Sequence, residues 1–149
     1  MVSQKLTNSS TLSKNARSGS KAGPGPRFEI VMATGPADIE AAQALRYDVF
    51  VRELGGDGPM VDHTRGLECD DFDAFADHML LFDRAADRLA GVYRMMRAPH
   101  AAAAGRFYSA GEYDLTPLMQ SGRPVLELGR SCLHPAYRGG TAMYQLWCA

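Results

Sequence analysis

The stretch from Val125 to Leu133 is mostly apolar and is followed by a break at Pro135 and at the pair Gly139 and Gly140. A run of this length predicts one central strand, and the proline and glycines predict a turn after it. Beyond the turn, apolar residues recur at the three- and four-residue spacing that places them on one face of a helix. These residues are Ala142, Met143, Leu146 and Trp147.

The first predicted elements are a strand over FEIVMA at 28–33 and a helix from Pro36 to Leu54. The sequence Thr-Gly-Pro at 34–36 is a helix start signal, and the glycine pair at 55–56 ends the helical pattern. Between these signals, apolar residues recur at helical spacing. They are Ile39, Ala42, Leu45, Val49 and Phe50.

Two further apolar runs, His78–Asp83 and Leu89–Arg97, are separated by the polar segment RAADR, a pattern typical of an antiparallel hairpin. Residues 55–75 predict a loop, 101–104 a loop or one helical turn, and 116–121 a short helix. This order of elements predicts an α/β fold. The apolar residues of the hairpin predict core positions, although an apolar binding groove would use the same residue types; they are Met79, Leu81, Val92 and Met95.

The composition is that of a globular domain, with 149 residues of which 46% are apolar and 22% charged. Residues 1–26 are rich in Ser, Thr, Lys and Gly and end in GPGP, which predicts a disordered tail and a domain over 27–149. The tail has four basic residues and no acid, so the remainder has 12 basic against 17 acidic residues, a net charge of −5. A mildly acidic domain argues against nucleic acid as its partner.

The cysteines and histidines carry little signal for a site. Three cysteines without a C-x-x-C pair are typical of a reducing cytoplasm, and four histidines without ligand spacing argue against a metal site. No apolar run approaches the roughly 18 residues that span a bilayer, and residues 1–26 lack the apolar segment of a secretory signal. The sequence therefore favours a cytoplasmic protein, with a peripheral contact to the inner face of the membrane left open.

Two charges, Glu127 and Arg130, interrupt the apolar run before the turn. Unpaired ions are costly to bury, so we expect both residues to have partners or a chemical role. Residues three apart in a regular strand point to opposite faces, so a shared pocket requires a bulge, for which Gly129 is the natural place. Glu127 is a candidate for a general base that accepts a proton, or else a partner for Arg130.

The glycine turn is a candidate anion site, because the start of a helix leaves backbone N–H groups unpaired. Phosphate or pyrophosphate suits such a site best. The alternative is that the glycines simply turn the chain.

The succession of elements resembles the first two thirds of the Gcn5-related N-acyltransferase fold, a mixed sheet flanked by helices. In that fold an acyl thioester lies beside the fourth strand, with its pyrophosphate on the following turn. The family's turn pattern, Q/R-x-x-G-x-G/A, is matched here at Gly140 and Ala142, with Tyr137 where Gln or Arg is usual. The resemblance implies that the turn binds the donor phosphopantetheine through Arg138, Gly139, Gly140 and Thr141.

A closer resemblance covers almost the whole domain. Arg46 with Phe50, E-x-D-x-x-D at 68–73, Arg94, and E-x-x-R at 127–130 are similar to the invariant set of the acyl-homoserine-lactone autoinducer synthases. The blocks RYDVFVRELG, DHMLLFD, GVYRMMR, FYSAGEYDL and ELGRSCLHPAYRGG together resemble the ornithine lipid N-acyltransferases. That resemblance implies transfer of a 3-hydroxyacyl chain from acyl carrier protein to the α-amine of L-ornithine, with no bound cofactor.

The resemblance implies a site in which Glu127 and Arg130 are catalytic. The residues it implies in substrate binding are Arg46, Phe50, Glu68, Asp70, Asp73 and Arg94. The acids would supply negative potential for a dication such as ornithine, and one arginine could hold its carboxylate by a two-pronged pair. The alternative is that the acids and arginines pair with one another and fix the loop. Direct transfer is favoured over Cys132 as an acyl-accepting nucleophile, because Cys132 is expected to pack as a small hydrophobe.

The chain ends at Ala149, inside its last predicted helix. In the resembling family a further strand forms the other wall of the thioester cleft. We therefore expect a C-terminally truncated form that lacks the last third of the fold, either a piece of an active enzyme or an inactive remnant. Two alternatives to the ornithine enzyme stay open: an autoinducer synthase-like acyltransferase, and a non-catalytic chain that binds acyl carrier protein.

Overall fold

A computed structural model describes residues 26–149 of the chain. The predicted disordered tail, 1–26, lies outside the described residues apart from Pro26. The helical segments are α1 (Pro36–Arg46), a π-helix (Tyr47–Glu53), α2 (Ala98–Ala103), a 3₁₀-helix (Tyr108–Gly111), α3 (Thr116–Met119), a 3₁₀-helix (Pro135–Tyr137) and α4 (Ala142–Trp147). The strands are β1 (Phe28–Met32), β2 (Val61–Asp62), β3 (Leu67–Glu68), β4 (Asp77–Asp83), β5 (Arg88–Arg97) and β6 (Leu126–Leu133).

Within the described residues, four strands form one sheet in the order β1-β4-β5-β6, and β2 pairs with β3 in a separate small hairpin. The structure confirms the α/β fold class, the first strand, the hairpin of β4 and β5 and the long strand β6. Two details differ from the sequence prediction. The strand β6 was predicted to be central but lies at an edge of the described sheet, and the sheet was expected to be mixed but every pairing in it is antiparallel. A central β6 would need a second neighbour besides β5.

Helices cover both faces of the sheet, and β4 is buried between them. Leu81 packs with Leu146 of α4 on one face, and Leu80 packs with Ala42 and Leu45 of α1 on the other. Successive side chains of a strand point to opposite faces, so a continuous apolar sequence lets one strand bury both. Burial confirms the core prediction at Met79, Leu81 and Val92, with Met95 partly buried beside them.

Leu80→Ala should lower the free energy of unfolding by about 2–5 kcal/mol, because it removes fully buried methyl groups and leaves a cavity under α1. Urea denaturation followed by circular dichroism measures this change. Leu126→Ala is the matched control, since Leu126 is half exposed on β6 and should cost little. Equal losses in the two variants would contradict the two-sided core.

The long helix predicted from Pro36 to Leu54 is present but changes type partway. After α1 the chain continues as the π-helix, in which the Leu54 N–H donates to the Val49 carbonyl five residues earlier, at 3.1 Å. Gly55 then takes a φ of +73°, which glycine adopts without strain and which ends the helix. The loop predicted over 55–75 contains the β2–β3 hairpin, which is too short to show a period in the sequence.

Candidate active site

A bulge in β6 sets the geometry of the site. Val92 of β5 pairs with Cys132, but Arg94 pairs with Gly129, so β6 has one more residue than β5 between these pairs. The sequence placed the bulge at Gly129, whereas the residue with left-handed backbone is Arg130, at a φ of +51°. A non-glycine residue in this conformation costs about 1–2 kcal/mol, so other contacts must hold Arg130 there.

Arg46 of α1 is the buried centre of a network of ion pairs. Its Nη1 and Nη2 donate to the two oxygens of Asp73, at 2.8 and 2.6 Å, and its Nε lies 2.6 Å from Glu68 Oε2. The Arg46 side chain is 1% exposed. Burial by itself raises the pKa of Asp73, but the hydrogen bonds and charge of Arg46 outweigh it and hold that pKa well below its usual range. Both groups are therefore charged at neutral pH.

The network continues from the core to the surface. Arg94 Nη1 lies 2.8 Å from Asp73 and 2.5 Å from Asp70, and Arg130 lies 3.3 Å from Glu68 and 3.4 Å from Asp70. The ion pairs of Arg130 with Glu68 and Asp70 hold it in its strained conformation. The exposed end consists of Arg130 and Asp70, whose side chains are 27% and 17% exposed.

The structure thus brings together six of the residues that the resemblance implied: Arg46, Glu68, Asp70, Asp73, Arg94 and Arg130. Three of them are basic and three acidic, so this cluster has no net charge. Within this cluster each carboxylate has a guanidinium beside it, and a role of these acids together with Glu127 in attracting a dication stays a prediction. The alternative, in which the acids and arginines pair with one another and fix the loop, describes the buried ion pairs of Arg46 and Arg94 with Asp73.

His78 is a buried member of the same region that the sequence analysis did not single out. Its Nε2 lies 3.0 Å from the backbone oxygen of Asp73, and the residue is 3% exposed. Burial lowers the pKa of His78, and the positive charges of Arg46 and Arg94 lower it further, although the carboxylate and carbonyl of Asp73 raise it. Folding therefore favours the neutral form of His78.

Acidification from about pH 7.5 to pH 5.5 should destabilise the domain, because the folded pKa of His78 lies below the unfolded value of about 6.5. The unfolded chain takes up the proton first, so the stabilisation is complete above that value and is lost as the pH falls toward the folded pKa. Urea denaturation at several pH values measures the slope. His78→Gln should flatten it, and an unchanged slope in that variant would exclude His78 as the cause.

Glu127 does not pair with Arg130, whose partners within residues 26–149 are Glu68 and Asp70. Its carboxylate instead accepts hydrogen bonds at the start of the 3₁₀-helix Tyr108–Gly111. The Tyr108 N–H donates to Oε2 and the Ser109 N–H to Oε1, both at 2.8 Å, and the Ser109 hydroxyl also donates to Oε1. The alternative role of Glu127 as an ion-pair partner of Arg130 is therefore wrong, whereas its role as a base stays a prediction.

Tyr108 and Ser109 are candidate site residues that the sequence analysis missed, although both lie within the quoted block FYSAGEYDL. The Tyr108 ring packs against the guanidinium groups of Arg130 and Arg94, with ring centres 4.9 and 5.8 Å from their central carbons. A cavity of about 180 Å³ opens beside them. Its charged and polar lining residues are Arg94, Tyr108, Ser109, Glu127 and Arg130. The bulge therefore lets Glu127 and Arg130 line one cavity, as predicted.

A larger cavity of about 410 Å³ lies along the other half of β6. Its walls are apolar side chains of the π-helix, β6 and α4, with Glu53 and Arg138 as charged groups; the apolar ones include Val49, Phe50, Leu54, Cys132, Leu133 and Met143. Phe50 thus lies apart from the ion network with which the resemblance grouped it. Burial raises the pKa of Cys132 to about 12, so its thiol stays protonated and is a poor nucleophile.

The predicted donor residues lie at the rim of this larger cavity. Arg138 forms a two-pronged pair with Glu53, at 2.5 and 2.7 Å, and also donates to the Leu133 carbonyl. Gly139 takes a φ of +73°, so the turn requires a glycine at this position. Gly140 and Thr141 follow directly before α4, and phosphopantetheine binding by these four residues stays a prediction.

The fold is that of an acyltransferase domain of the Gcn5-related type. It has a sheet with helices on both faces, a bulged strand at the sheet edge, and a glycine turn that leads into a helix. The family model described as Acetyltransferase (GNAT) domain matches residues 45–148, and the chain belongs to this family. A solved structure of an N-acetyltransferase from Lactobacillus plantarum has the same fold, with a TM-score of 0.50 and 23% identity over 83% of this chain and 64% of that one.

Curated relatives carry a more specific name. The chain is 53% identical over 127 residues to an L-ornithine N(alpha)-acyltransferase of Rhodobacter capsulatus, which covers 82% of this chain and 49% of the relative. It is 40% identical over 128 residues to a protein of the same name from Brucella abortus. That alignment covers 80% of this chain and 45% of the relative. The chain thus spans about half the length of the curated relatives it matches. In residues 26–149, no helix is both long enough and apolar enough for a membrane span.

Proposed function

We propose that the protein is an N-acyltransferase that moves a 3-hydroxyacyl chain from acyl carrier protein to the α-amine of L-ornithine, the first step of ornithine lipid synthesis. Its support is the name carried by relatives that are up to 53% identical and the arrangement of charged groups beside β6. The donor is the thioester of the carrier protein's phosphopantetheine, so the reaction needs no bound cofactor.

The observation that carries the proposal is the bulge at Arg130. Residues 127–130 line the smaller, polar cavity, and residues 131–133 line the larger, apolar one, so both cavities adjoin the same strand on either side of the bulge. A thioester in the apolar cavity and an amine in the polar one would meet at this strand. Holding the two reactants together converts a bimolecular reaction into an effectively unimolecular one.

The chemistry required is aminolysis of a thioester. The amine nitrogen forms a bond to the carbonyl carbon, the C–S bond breaks and the nitrogen loses a proton. Glu127 is the base in this proposal, since it is the carboxylate that lines the polar cavity without a guanidinium partner among the described residues. A backbone N–H of the bulged segment would stabilise the oxyanion.

Acceptor and donor binding follow from the charges at the two cavities. Arg130 and Asp70 form the exposed end of the ion network and offer a guanidinium and a carboxylate to the carboxylate and ammonium groups of an amino acid. On the donor side, Arg138 and the turn through Thr141 would hold the phosphate of phosphopantetheine. The reaction would take place in the cytoplasm, with contact to the inner face of the membrane where the lipid product is used.

Transfer is tested with the purified chain, a 3-hydroxyacyl carrier protein and L-ornithine, with the acylated amino acid detected by mass spectrometry. The proposal expects N-acylornithine that depends on both substrates. S-adenosylmethionine in place of ornithine is the second arm, and product in that arm alone would favour an autoinducer synthase-like enzyme. Carrier-protein binding without transfer to either acceptor would favour a non-catalytic binding role and overturn the proposal.

A further inference from the structure

Ser109 and Glu127 line the polar cavity side by side and are joined by a hydrogen bond. Ser109 lines that cavity, and its Oγ donates a hydrogen bond to Glu127 Oε1. The same oxygen also accepts the Ser109 N–H at 2.8 Å, and the Tyr108 N–H donates to the other oxygen at 2.8 Å. Both carboxylate oxygens are therefore already bound to the 3₁₀-helix Tyr108–Gly111.

A serine hydroxyl has one hydrogen and two lone pairs. Because the Ser109 hydrogen points to Glu127, the lone pairs of Oγ remain to accept a hydrogen bond from a group in the cavity. An amine in that cavity can thus donate to Ser109 Oγ without displacing either backbone donor from Glu127. The arrangement is a chain of amine, hydroxyl and carboxylate.

We propose that Ser109 is a catalytic residue that relays the proton of the attacking amine to Glu127. This inference rests on the proposed acyl transfer and names the contact through which its base acts. The neutral amine attacks the carbonyl carbon; as the C–N bond forms, an N–H bond breaks and its proton passes to Ser109 Oγ, while the Oγ–H proton passes to Glu127 Oε1. The C–S bond then breaks with its electron pair on sulfur, and the thiolate takes up the proton that Glu127 releases through solvent, so the products are the amide and the thiol and Glu127 is again a carboxylate.

Tyr108 keeps this relay in place. Its backbone N–H binds Glu127, its ring contacts the Arg130 guanidinium, and Phe72 packs edge-on against the ring with centres 5.6 Å apart. The start of the 3₁₀-helix is thereby fixed to the ion network on one side and to β6 on the other. Such support limits the motion of the hydroxyl relative to the carboxylate.

Ser109→Ala tests the relay because it removes the hydroxyl and keeps both backbone donors to Glu127. The assay is transfer to L-ornithine by the full chain, with kcat and the KM for the acyl donor measured from neutral pH to about pH 9. We expect kcat at neutral pH to fall by about 10²-fold, with the KM for the donor unchanged. The deficit should shrink as the pH rises, since hydroxide and free amine then replace the relay.

Two further variants separate the relay from a structural effect. Ser109→Thr keeps a hydroxyl and should restore kcat to within about tenfold of the wild type. Ser121→Ala removes a serine hydroxyl that donates to the Leu118 carbonyl on an exposed turn, and should leave kcat unchanged. Thermal unfolding of each variant checks that the domain is intact.

The possible outcomes differ for the relay and for the proposed function. Wild-type transfer with a Ser109→Ala rate equal to the wild type would overturn the relay and leave the acyltransferase standing. A pH-independent loss that Ser109→Thr does not restore would assign Ser109 a structural role and also overturn the relay. Absence of transfer to ornithine by the wild type would overturn both.

Discussion

Arg46→Met is expected to lower the free energy of unfolding by about 3–5 kcal/mol, because it removes the buried guanidinium that pairs with both Asp73 and Glu68 and leaves each of them only one charged partner. Asp73 loses both of its Arg46 hydrogen bonds, and Glu68 loses an ion pair and a hydrogen bond to its backbone oxygen. Methionine fills a similar volume, so the loss reports charge and not a cavity. Urea denaturation at neutral pH gives the value.

The matched control for this variant is Arg52→Met. Arg52 pairs with Asp48 four residues away on the π-helix at 2.7 Å, but its side chain is 67% exposed. Exposed pairs of this spacing contribute about 0.3–0.5 kcal/mol, so the control should unfold close to the wild type. If Arg46→Met were as stable as Arg52→Met, the buried network would not hold the loop 69–76 on the sheet.

Glu127→Gln is expected to lower kcat for acyl transfer by about 10²–10⁴-fold, because the amide keeps the shape of the side chain but cannot accept a proton. The KM for ornithine should change little, since Arg130 and Asp70 remain in place. The measurement is the initial rate of N-acylornithine formation at saturating donor. Thermal unfolding is recorded in parallel, because an amide group facing the Tyr108 or Ser109 N–H loses a hydrogen bond there.

Glu112→Gln is the control for this substitution, since Glu112 follows the same 3₁₀-helix and is exposed to solvent. Its rate should equal that of the wild type. A Glu127→Gln variant that folds and turns over at the wild-type rate would remove Glu127 from the proposed mechanism, and with it the proton relay through Ser109.

Several elements could be predicted because their signal is local. Each of these elements has an apolar run or a regular apolar spacing in the sequence, bounded by turn residues, and each was predicted within a few residues. They are the strand Phe28–Met32, the hairpin of β4 and β5, and the strand β6. The need for a bulge between Glu127 and Arg130 also followed from the two-residue period of a strand. The family resemblance, carried by blocks spread from RYDVFVRELG to the glycine turn, agrees with the family model over 45–148.

Other features could not be predicted from the sequence, because contacts between distant residues determine them or because the element is too short to give a pattern. The π-helix has the apolar spacing of an ordinary helix, and the hairpin of β2 and β3 has two residues in each strand. The left-handed residue of the bulge is Arg130 and not Gly129, because ion pairs to Glu68 and Asp70 hold the arginine there. Backbone propensity alone favours glycine at such a position.

The sequence by itself determined which charged residues this protein has in its apolar segments and that burying them requires partners. Only the tertiary structure decided the partners: Arg46 binds Asp73 from 27 residues away, and Glu127 binds the Tyr108–Ser109 turn and not Arg130. The physical reason is that ion pairs and hydrogen bonds depend on distances of about 3 Å, which the folding of distant segments sets and which spacing along the chain does not encode.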